Sequence, residues 1–173
     1  MLVQITHFLV DAVFTFFVFL LLARFHFQWL RVPFHNPLGE FVLAATSWMV
    51  MPVRRFIPGL RGYDIPTLLL AWVLQALSWV IKIAIAGGSL RLAAIAAVSF
   101  VELVEYSIYM LLFALIGMVI VSWLQAASPH SRSPFAAPLG AMTRPFLRPF
   151  RRFIPPLGMI DLSPAVLMLL LII

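Results

Sequence analysis

The sequence has no cysteine and few charged side chains. Without cysteine, disulfides, thiol nucleophiles and cysteine-ligated metals are excluded from its chemistry. Charged residues make up 10% of the chain, whereas an average soluble domain has about a quarter. Of the 12 basic residues only Lys82 is a lysine, and the others are arginines. A densely charged, water-solvated surface is therefore excluded for most of the molecule.

Hydrophobic residues dominate what remains. They form 64% of the 173 residues, which is more than a chain of this length can bury in one aqueous core. Long apolar runs predict three membrane-spanning helices, over about residues 8–30, 65–86 and 100–124. The last apolar run, residues 162–173, reaches roughly 18 Å and is shorter than a ~30 Å hydrocarbon core. Residues 90–100 are compatible with an interfacial helix or with an extension of the third span.

One arginine-proline segment occurs twice, 97 positions apart. It is Pro-Val-Arg-Arg-Phe-Ile-Pro from residue 52 and Pro-Phe-Arg-Arg-Phe-Ile-Pro from residue 149. The same offset relates Thr46 to Thr143 and Asp64 to Asp161. These identities predict a duplication, with a first repeat at residues 1–86, a connecting segment at 87–99 and a second repeat at 100–173.

Each repeat is predicted to contain a short helix between its spans. Asn36 and Ser133 are good N-cap residues, and a proline follows each of them. An apolar helix of about a dozen residues is expected after each cap, ended by Pro52 in the first repeat and by the two prolines after Thr143 in the second. Such a helix is too short to span a membrane, so an interfacial or re-entrant position is expected. Asp64 and Asp161 are predicted to cap the next helix or to pair with the arginines.

The predicted fold is therefore an all-α polytopic membrane protein with two parallel repeats. Each repeat consists of a transmembrane helix, a short interfacial or re-entrant helix, an arginine-proline turn and a second transmembrane helix, the last helix being short. Most arginines lie in the two segments that connect the spans within each repeat. The positive-inside rule predicts that these loops are cytoplasmic and that both termini lie outside.

These motifs resemble the YggT (YlmG) family over nearly the whole chain. The resemblance rests on Arg24-Phe25-His26-Phe27-Gln28-Trp29, Asn36-Pro37 and the first arginine-proline segment, and on Arg144-Pro145-Phe146-Leu147-Arg148-Pro149-Phe150-Arg151-Arg152 with Asp161-Leu162-Ser163-Pro164. It implies a bacterial plasma membrane or chloroplast membrane protein. It also implies links to cell division, envelope organisation, osmotic tolerance and, in chloroplasts, cytochrome maturation. No enzymatic activity is established for the family.

The arginines are the candidate binding residues. They can anchor the loops on anionic lipid headgroups, form a shared phosphate or carboxylate site, or pair with protein carboxylates, and the sequence leaves these alternatives open. Each basic residue beside an anionic leaflet contributes ~1 kcal/mol. The candidates for lipid, anion or partner binding are Arg24, Arg54, Arg55, Arg144, Arg148, Arg151 and Arg152.

Other polar residues indicate little chemistry. Glu102 and Glu105 share a helix face at the start of the third span, and we expect an interfacial rim with Lys82 as a partner. The four histidines lack metal-ligand spacing, and no catalytic motif is present. We therefore expect no metal, no cofactor and no enzymatic activity.

The function predicted from the sequence is that of a non-enzymatic scaffold or assembly factor in the bacterial inner membrane. It would act in cell division, membrane organisation or membrane-protein maturation. Its expected partners are anionic lipids and a membrane protein or a second copy of the chain, and no nucleic acid. The alternative is an oligomeric channel or transporter subunit for osmotic or ion homeostasis. Of the two copies, Arg151 and Arg152 are the predicted working pair.

Overall fold

The computed structural model describes residues 1–59, 62–127, 133–153 and 161–173. Helices form the regular structure of these residues, which confirms the predicted all-α class. In chain order they are α1 Leu2–Trp29, α2 Pro37–Phe56, α3 Ile65–Ile85, α4 Leu92–Ala127, α5 Ala136–Phe153 and α6 Ser163–Ile172.

Three helices are long and apolar enough to cross a membrane. They cover Val3–Trp29, Ile65–Ile85 and Leu92–Ala127, in agreement with the three predicted spans. The third is the longest, at 36 residues or roughly 54 Å, because residues 92–100 continue it without a break. The alternative of a separate interfacial helix at residues 90–100 is therefore wrong. Helix α6 has 10 residues, and it is too short by length alone to span a hydrocarbon core.

The prolines do not end the short helices, contrary to the sequence prediction. Helix α2 continues through Pro52 to Phe56, and α5 continues through Pro145 and Pro149 to Phe153. All three prolines are on exposed helix surface, where a carbonyl left without its N–H donor is not trapped in the core. The helices have 20 and 18 residues instead of about a dozen.

Because the helices are longer, the arginine pairs belong to helix ends and not to turns. Arg54 and Arg55 lie in the last turn of α2, and Arg151 and Arg152 lie in the last turn of α5. Basic side chains are favourable there because the helix dipole places partial negative charge at the C-terminus. The Ile-Pro dipeptide that completes the second arginine-proline segment lies outside the described residues.

The helices share a core that spans the sequence. Its buried side chains come from α1 through α5 and include Val18, Leu22, Ala71, Leu103 and Met142. A second cluster joins Leu115 of α4 to Leu147 of α5 and Leu167 of α6. Many large apolar side chains remain exposed on the outer helix faces. This distribution fits a helical protein surrounded by lipid, since lipid tails solvate apolar side chains as the core does.

Candidate functional site

A buried carboxylate connects the first arginine-proline segment to α3. Asp64 directly precedes the helix and is 1% exposed. Its Oδ2 accepts hydrogen bonds from Arg54 Nη2 at 2.5 Å and from Thr67 Oγ1 at 2.6 Å. The Asp64 side chain makes no hydrogen bond to the backbone of α3, so it pairs with Arg54 and Thr67 and does not cap the helix. Pairing was one of the two roles that the sequence predicted for it.

A second arginine approaches the same carboxylate from α1. Arg24 Nε lies 3.7 Å from Asp64 Oδ2, and the Arg24 side chain is 4% exposed. Its Nη1 donates to Thr46 Oγ1 at 3.0 Å and to Ser47 Oγ at 3.2 Å, both on α2. The sequence left lipid, anion or partner binding and pairing with a protein carboxylate open for Arg24. The structure places its side chain in the interior, where Asp64 supplies the opposite charge.

An amide side chain completes this buried cluster. Gln28 lies one turn after Arg24 on α1. Its Oε1 accepts from Arg54 Nη2 at 3.4 Å, and its Nε2 donates to the carbonyl of Gly62 at 3.3 Å. Gly62 has a φ of +89°, a conformation that side chains with a Cβ adopt rarely. The cluster therefore links α1, α2 and α3, together with the turn before α3, around the carboxylate of Asp64.

The second arginine-proline segment forms the same ion pair in a more exposed place. Arg151 Nε and Nη2 both lie 2.9 Å from Asp161 Oδ2, with the two side chains 47% and 33% exposed. Asp161 Oδ1 accepts from the backbone N–H of Ser163, the first residue of α6, at 2.9 Å. Partial burial raises the pKa of Asp161. The hydrogen bonds from Ser163 and from Arg151 outweigh this and lower the pKa below its ordinary value.

The two clusters differ at the position of Arg24. Counting 97 residues on from Arg24 leads to Val121, so the second cluster has no arginine there. Thr143, which corresponds to Thr46, is buried and donates to the carbonyl of Leu139 at 2.9 Å. The carboxylate of Asp161 therefore has one arginine partner among the described residues, whereas that of Asp64 has two.

Helix α5 has an exposed basic face. The core of the protein covers Met142, Thr143 and Leu147, so the helix packs through one side only. Four arginines at spacings of four, three and one residues lie on its exposed surface, together with the prolines and Phe153: they are Arg144, Arg148, Arg151 and Arg152. Arg148, Arg152 and Phe153 line a shallow hollow with Pro145 and Pro149. Asp161 engages Arg151, while the other three arginines form no ion pair with a described residue and are available to an external anion. At the end of α2 only Arg55 is comparably exposed.

The remaining candidate residues begin the short helices. Asn36 Oδ1 accepts from the N–H of Gly39 at 3.0 Å and caps α2. Ser133 Oγ accepts from the N–H of Phe135 at 3.3 Å, ahead of α5. In the part of the chain that the structure describes, no three histidine or acidic side chains group as metal ligands.

The sequence analysis omitted one member of this cluster and predicted the wrong acidic partner for Lys82. Thr67 was not considered, although residues three apart at a helix start lie close enough for its hydroxyl to reach the Asp64 carboxylate. Lys82 forms an ion pair with Asp11 at 2.7 Å, so the predicted pairing with Glu102 is wrong. Glu102 is instead bound by Gln75 and Trp79 of α3.

Comparison with known proteins assigns the chain to a family. The CCB3/YggT family model matches residues 3–85 and again residues 97–173. The chain belongs to the CCB3/YggT family. This confirms the resemblance inferred from the arginine-proline segments.

Family relatives cover nearly the same length. The chain is 32% identical to the uncharacterized protein YggT of Escherichia coli K12 over 95% of this chain and 84% of the relative. It is 33% identical to an uncharacterized protein of Vibrio alginolyticus over 92% and 85% of the two chains. An uncharacterized Pseudomonas aeruginosa protein is 33% identical over 86% and 75%. No solved structure matches the chain.

Proposed function

We propose that this CCB3/YggT-family protein is a non-enzymatic scaffold or assembly factor of the bacterial inner membrane. It acts in cell division, membrane organisation or the maturation of other membrane proteins. Its working surface is the basic face of α5, which binds anionic lipid headgroups and a membrane-protein partner or a second copy of the chain. Arginine counting supports a cytoplasmic position for this face.

The proposal rests on one observation, which is that some arginines contact a buried carboxylate and others are exposed at the surface. Arg24 and Arg54 are held by Asp64, while Arg148 and Arg152 are exposed beside Phe153. Guanidinium groups without a protein carboxylate can donate two parallel hydrogen bonds to a phosphate or to a partner's carboxylate. Phe153 is 85% exposed at the end of the same helix and adds an apolar contact next to these charges.

The sequence duplication supports different roles for the arginines of the two repeats. In the proposed two-repeat architecture, the carboxylate of Asp64 is buried and connects α1, α2 and α3 through its two arginines, whereas the second ion pair is partly exposed at the start of α6. The first repeat then holds the bundle together and the second presents arginines at its surface. This arrangement agrees with the choice of Arg152 as a working residue, and it replaces Arg151 by Arg148 as the second one.

Photo-crosslinking in native membranes tests the proposal. A photoreactive amino acid at position 153 lies beside the basic face, and one at position 113 reports on exposed α4 surface, because Phe113 is 67% exposed. We expect a discrete protein adduct from position 153 that disappears in R148A/R152A and is absent from position 113. A lack of adducts at position 153, or identical adducts from both positions, would contradict a scaffold function.

The alternative, an oligomeric channel or transporter subunit, is supported by polar side chains between α3 and α4. Gln75 and Ser78 of α3 and Ser99 of α4 are buried within helices long enough to span the membrane, and Gln75 contacts Glu102 of α4. Purified protein in liposomes distinguishes the two functions. Ion flux under an imposed gradient that is lost in Gln75→Leu would favour transport, and no flux under any gradient would eliminate it.

A further inference from the structure

Glu102 lies well inside a membrane-spanning helix. Helix α4 begins at Leu92, so Glu102 is about 15 Å along it. The sequence suggested an interfacial rim, since the third span was expected to start near residue 100. The continuous helix from Leu92 places this carboxylate deeper than that prediction.

The carboxylate of Glu102 is bound from the middle of α3. Its Oε2 accepts from Gln75 Nε2 at 2.6 Å and from Trp79 Nε1 at 2.8 Å. Gln75 is the eleventh of the 21 residues of α3 and is 2% exposed. The contact therefore lies near mid-length of a helix of about 30 Å, which is close to the thickness of a hydrocarbon core.

Two buried polar atoms on the helices that hold this carboxylate are unsatisfied. Gln75 Oε1 and Ser99 Oγ have no hydrogen-bond partner among the residues that the structure describes. Ser99 lies one turn before Glu102 on the same face of α4, and helical side chains lean toward the N-terminus. A buried acceptor without a donor is unfavourable. Both oxygens therefore favour a state in which an additional O–H group donates a hydrogen bond to one of them.

No neighbouring base fixes the charge of Glu102. Lys82 of α3 is 2.7 Å from Asp11 of α1, and Glu105 on α4 binds the hydroxyl of Tyr109. His7 is the further titratable group at this end of α1. Helices α5 and α6 pack against α4 beyond Leu103, around Met110 and Leu115. In the described parts of the chain Glu102 forms no ion pair.

We propose that Glu102 is a proton-binding site within the membrane-spanning region, with Gln75 and Ser99 as its hydrogen-bonding partners. In the ionised state, the N–H groups of Gln75 and Trp79 donate to Oε2. On protonation from water, a new O–H on Oε1 donates to Ser99 Oγ, or a new O–H on Oε2 donates to Gln75 Oε1 after the amide turns over. The proton returns to water when the carboxyl ionises, so no other reactant is required.

The donor set favours a proton over a metal cation. Both N–H groups point at Oε2 and would repel a cation bound to that oxygen. A bound cation would also need several oxygen ligands, and only one carboxylate is available here. Conversely, an amide can serve either state of a carboxyl because it contains both a donor and an acceptor. This inference is independent of lipid binding by α5.

Labelling with a hydrophobic carbodiimide tests the site directly. This reagent attacks protonated carboxyls in apolar surroundings, and peptide mapping by mass spectrometry locates the product. The full-length protein in liposomes is treated between pH 5 and pH 8. We expect labelling of Glu102 that increases as the pH falls. Glu40, which is exposed in the first turn of α2 and lies outside the three spans, is the internal control that the reagent leaves largely unmodified.

Two variants sharpen the test. E102Q should lose the labelled peptide. Gln75→Leu removes one N–H donor to the carboxylate, so its labelling profile should move to higher pH. The proposal is overturned if wild-type Glu102 is not labelled at any pH, or if Glu102 and Glu40 are labelled in parallel. An unchanged pH profile in Gln75→Leu would remove Gln75 from the site and overturn it as well.

Discussion

The guanidinium of Arg24 lies 3.7 Å from the carboxylate of Asp64, and both side chains are almost completely buried. The counterpart pair of Arg151 and Asp161 is partly exposed, and Val121 stands where the second copy would have the additional arginine. The two copies of the sequence motif therefore form ion pairs in different surroundings. In the first copy the buried Asp64 carboxylate links helices, and in the second the Arg151–Asp161 pair lies at the surface beside exposed arginines.

Asp64→Ala should strongly destabilise the protein. It leaves Arg24 buried without its counter-charge, and breaking a buried ion pair in this way costs about 3–5 kcal/mol. Unfolding of the detergent-solubilised protein, followed by helical circular dichroism, measures the loss. Asp161→Ala is the matched control in the second copy, where we expect less than about 1 kcal/mol because the pair is solvated. Equal losses in the two variants would show that the settings are energetically alike.

Removing both charges of the buried pair should be better tolerated than removing one. Arg24→Met combined with Asp64→Leu removes both fully buried charges and leaves only Arg54, which is 36% exposed, without its carboxylate. Apolar residues can replace buried ion pairs at little cost. A double-mutant cycle should give a coupling energy of about 1–3 kcal/mol between the two positions. Strict additivity of the single variants would contradict a direct interaction between Arg24 and Asp64.

The contribution of Asp161 should depend on pH at the acid end. Its pKa is lowered in the folded protein, so its ionised form stabilises the fold above the unfolded value of about 3.9. That stabilisation is lost as the pH falls through the lower pKa of the folded state. The stability difference between wild type and D161N should therefore be constant from pH 5 to pH 7 and decrease below about pH 4. A difference that persists at pH 2 would exclude this linkage.

Gly39→Ala should destabilise the start of α2. A Cβ at this position would lie 2.5 Å from the carbonyl oxygen of Phe34, a backbone atom that cannot move aside freely. We expect a loss of about 1–3 kcal/mol from this overpacking. Gly140→Ala in α5 is the control, because a Cβ there meets nothing within 4 Å. It should be neutral or stabilising by up to ~1 kcal/mol. Similar melting behaviour of the two variants would argue against the close approach at Gly39.

The sequence predicted the helices well because their signals are local. Apolar length identified the three spans, and the Asn36-Pro37 dipeptide marked the start of α2. Proline was misleading at Pro52 and in α5, since helix breaking is only a local preference. Packing of the opposite helix face, for example at Leu147, keeps the helix intact beyond each proline.

The contacts of the candidate site depended on tertiary structure. Nothing local to Arg24 shows that Asp64, 40 residues later, provides its counter-charge. The offset that relates the two copies did contain a signal, because it pairs Arg24 with Val121 and thereby marks Arg24 as specific to one copy. Gln75 was also visible as a polar residue in the middle of an apolar span, which is a recognised sign of an intramembrane site.

The central claim is that the free guanidinium groups of α5 bind anionic lipid, whereas the arginines held by Asp64 do not. Native mass spectrometry of the full-length protein can count retained phosphatidylglycerol against phosphatidylethanolamine. R148A/R152A should weaken phosphatidylglycerol binding by about 2 kcal/mol, roughly thirtyfold. R148K/R152K should retain part of it, because the charge remains while the paired hydrogen bonds of the guanidinium groups are lost. Arg54→Ala should leave retention near the wild-type level. Equal phosphatidylglycerol retention in wild type and R148A/R152A would contradict the account.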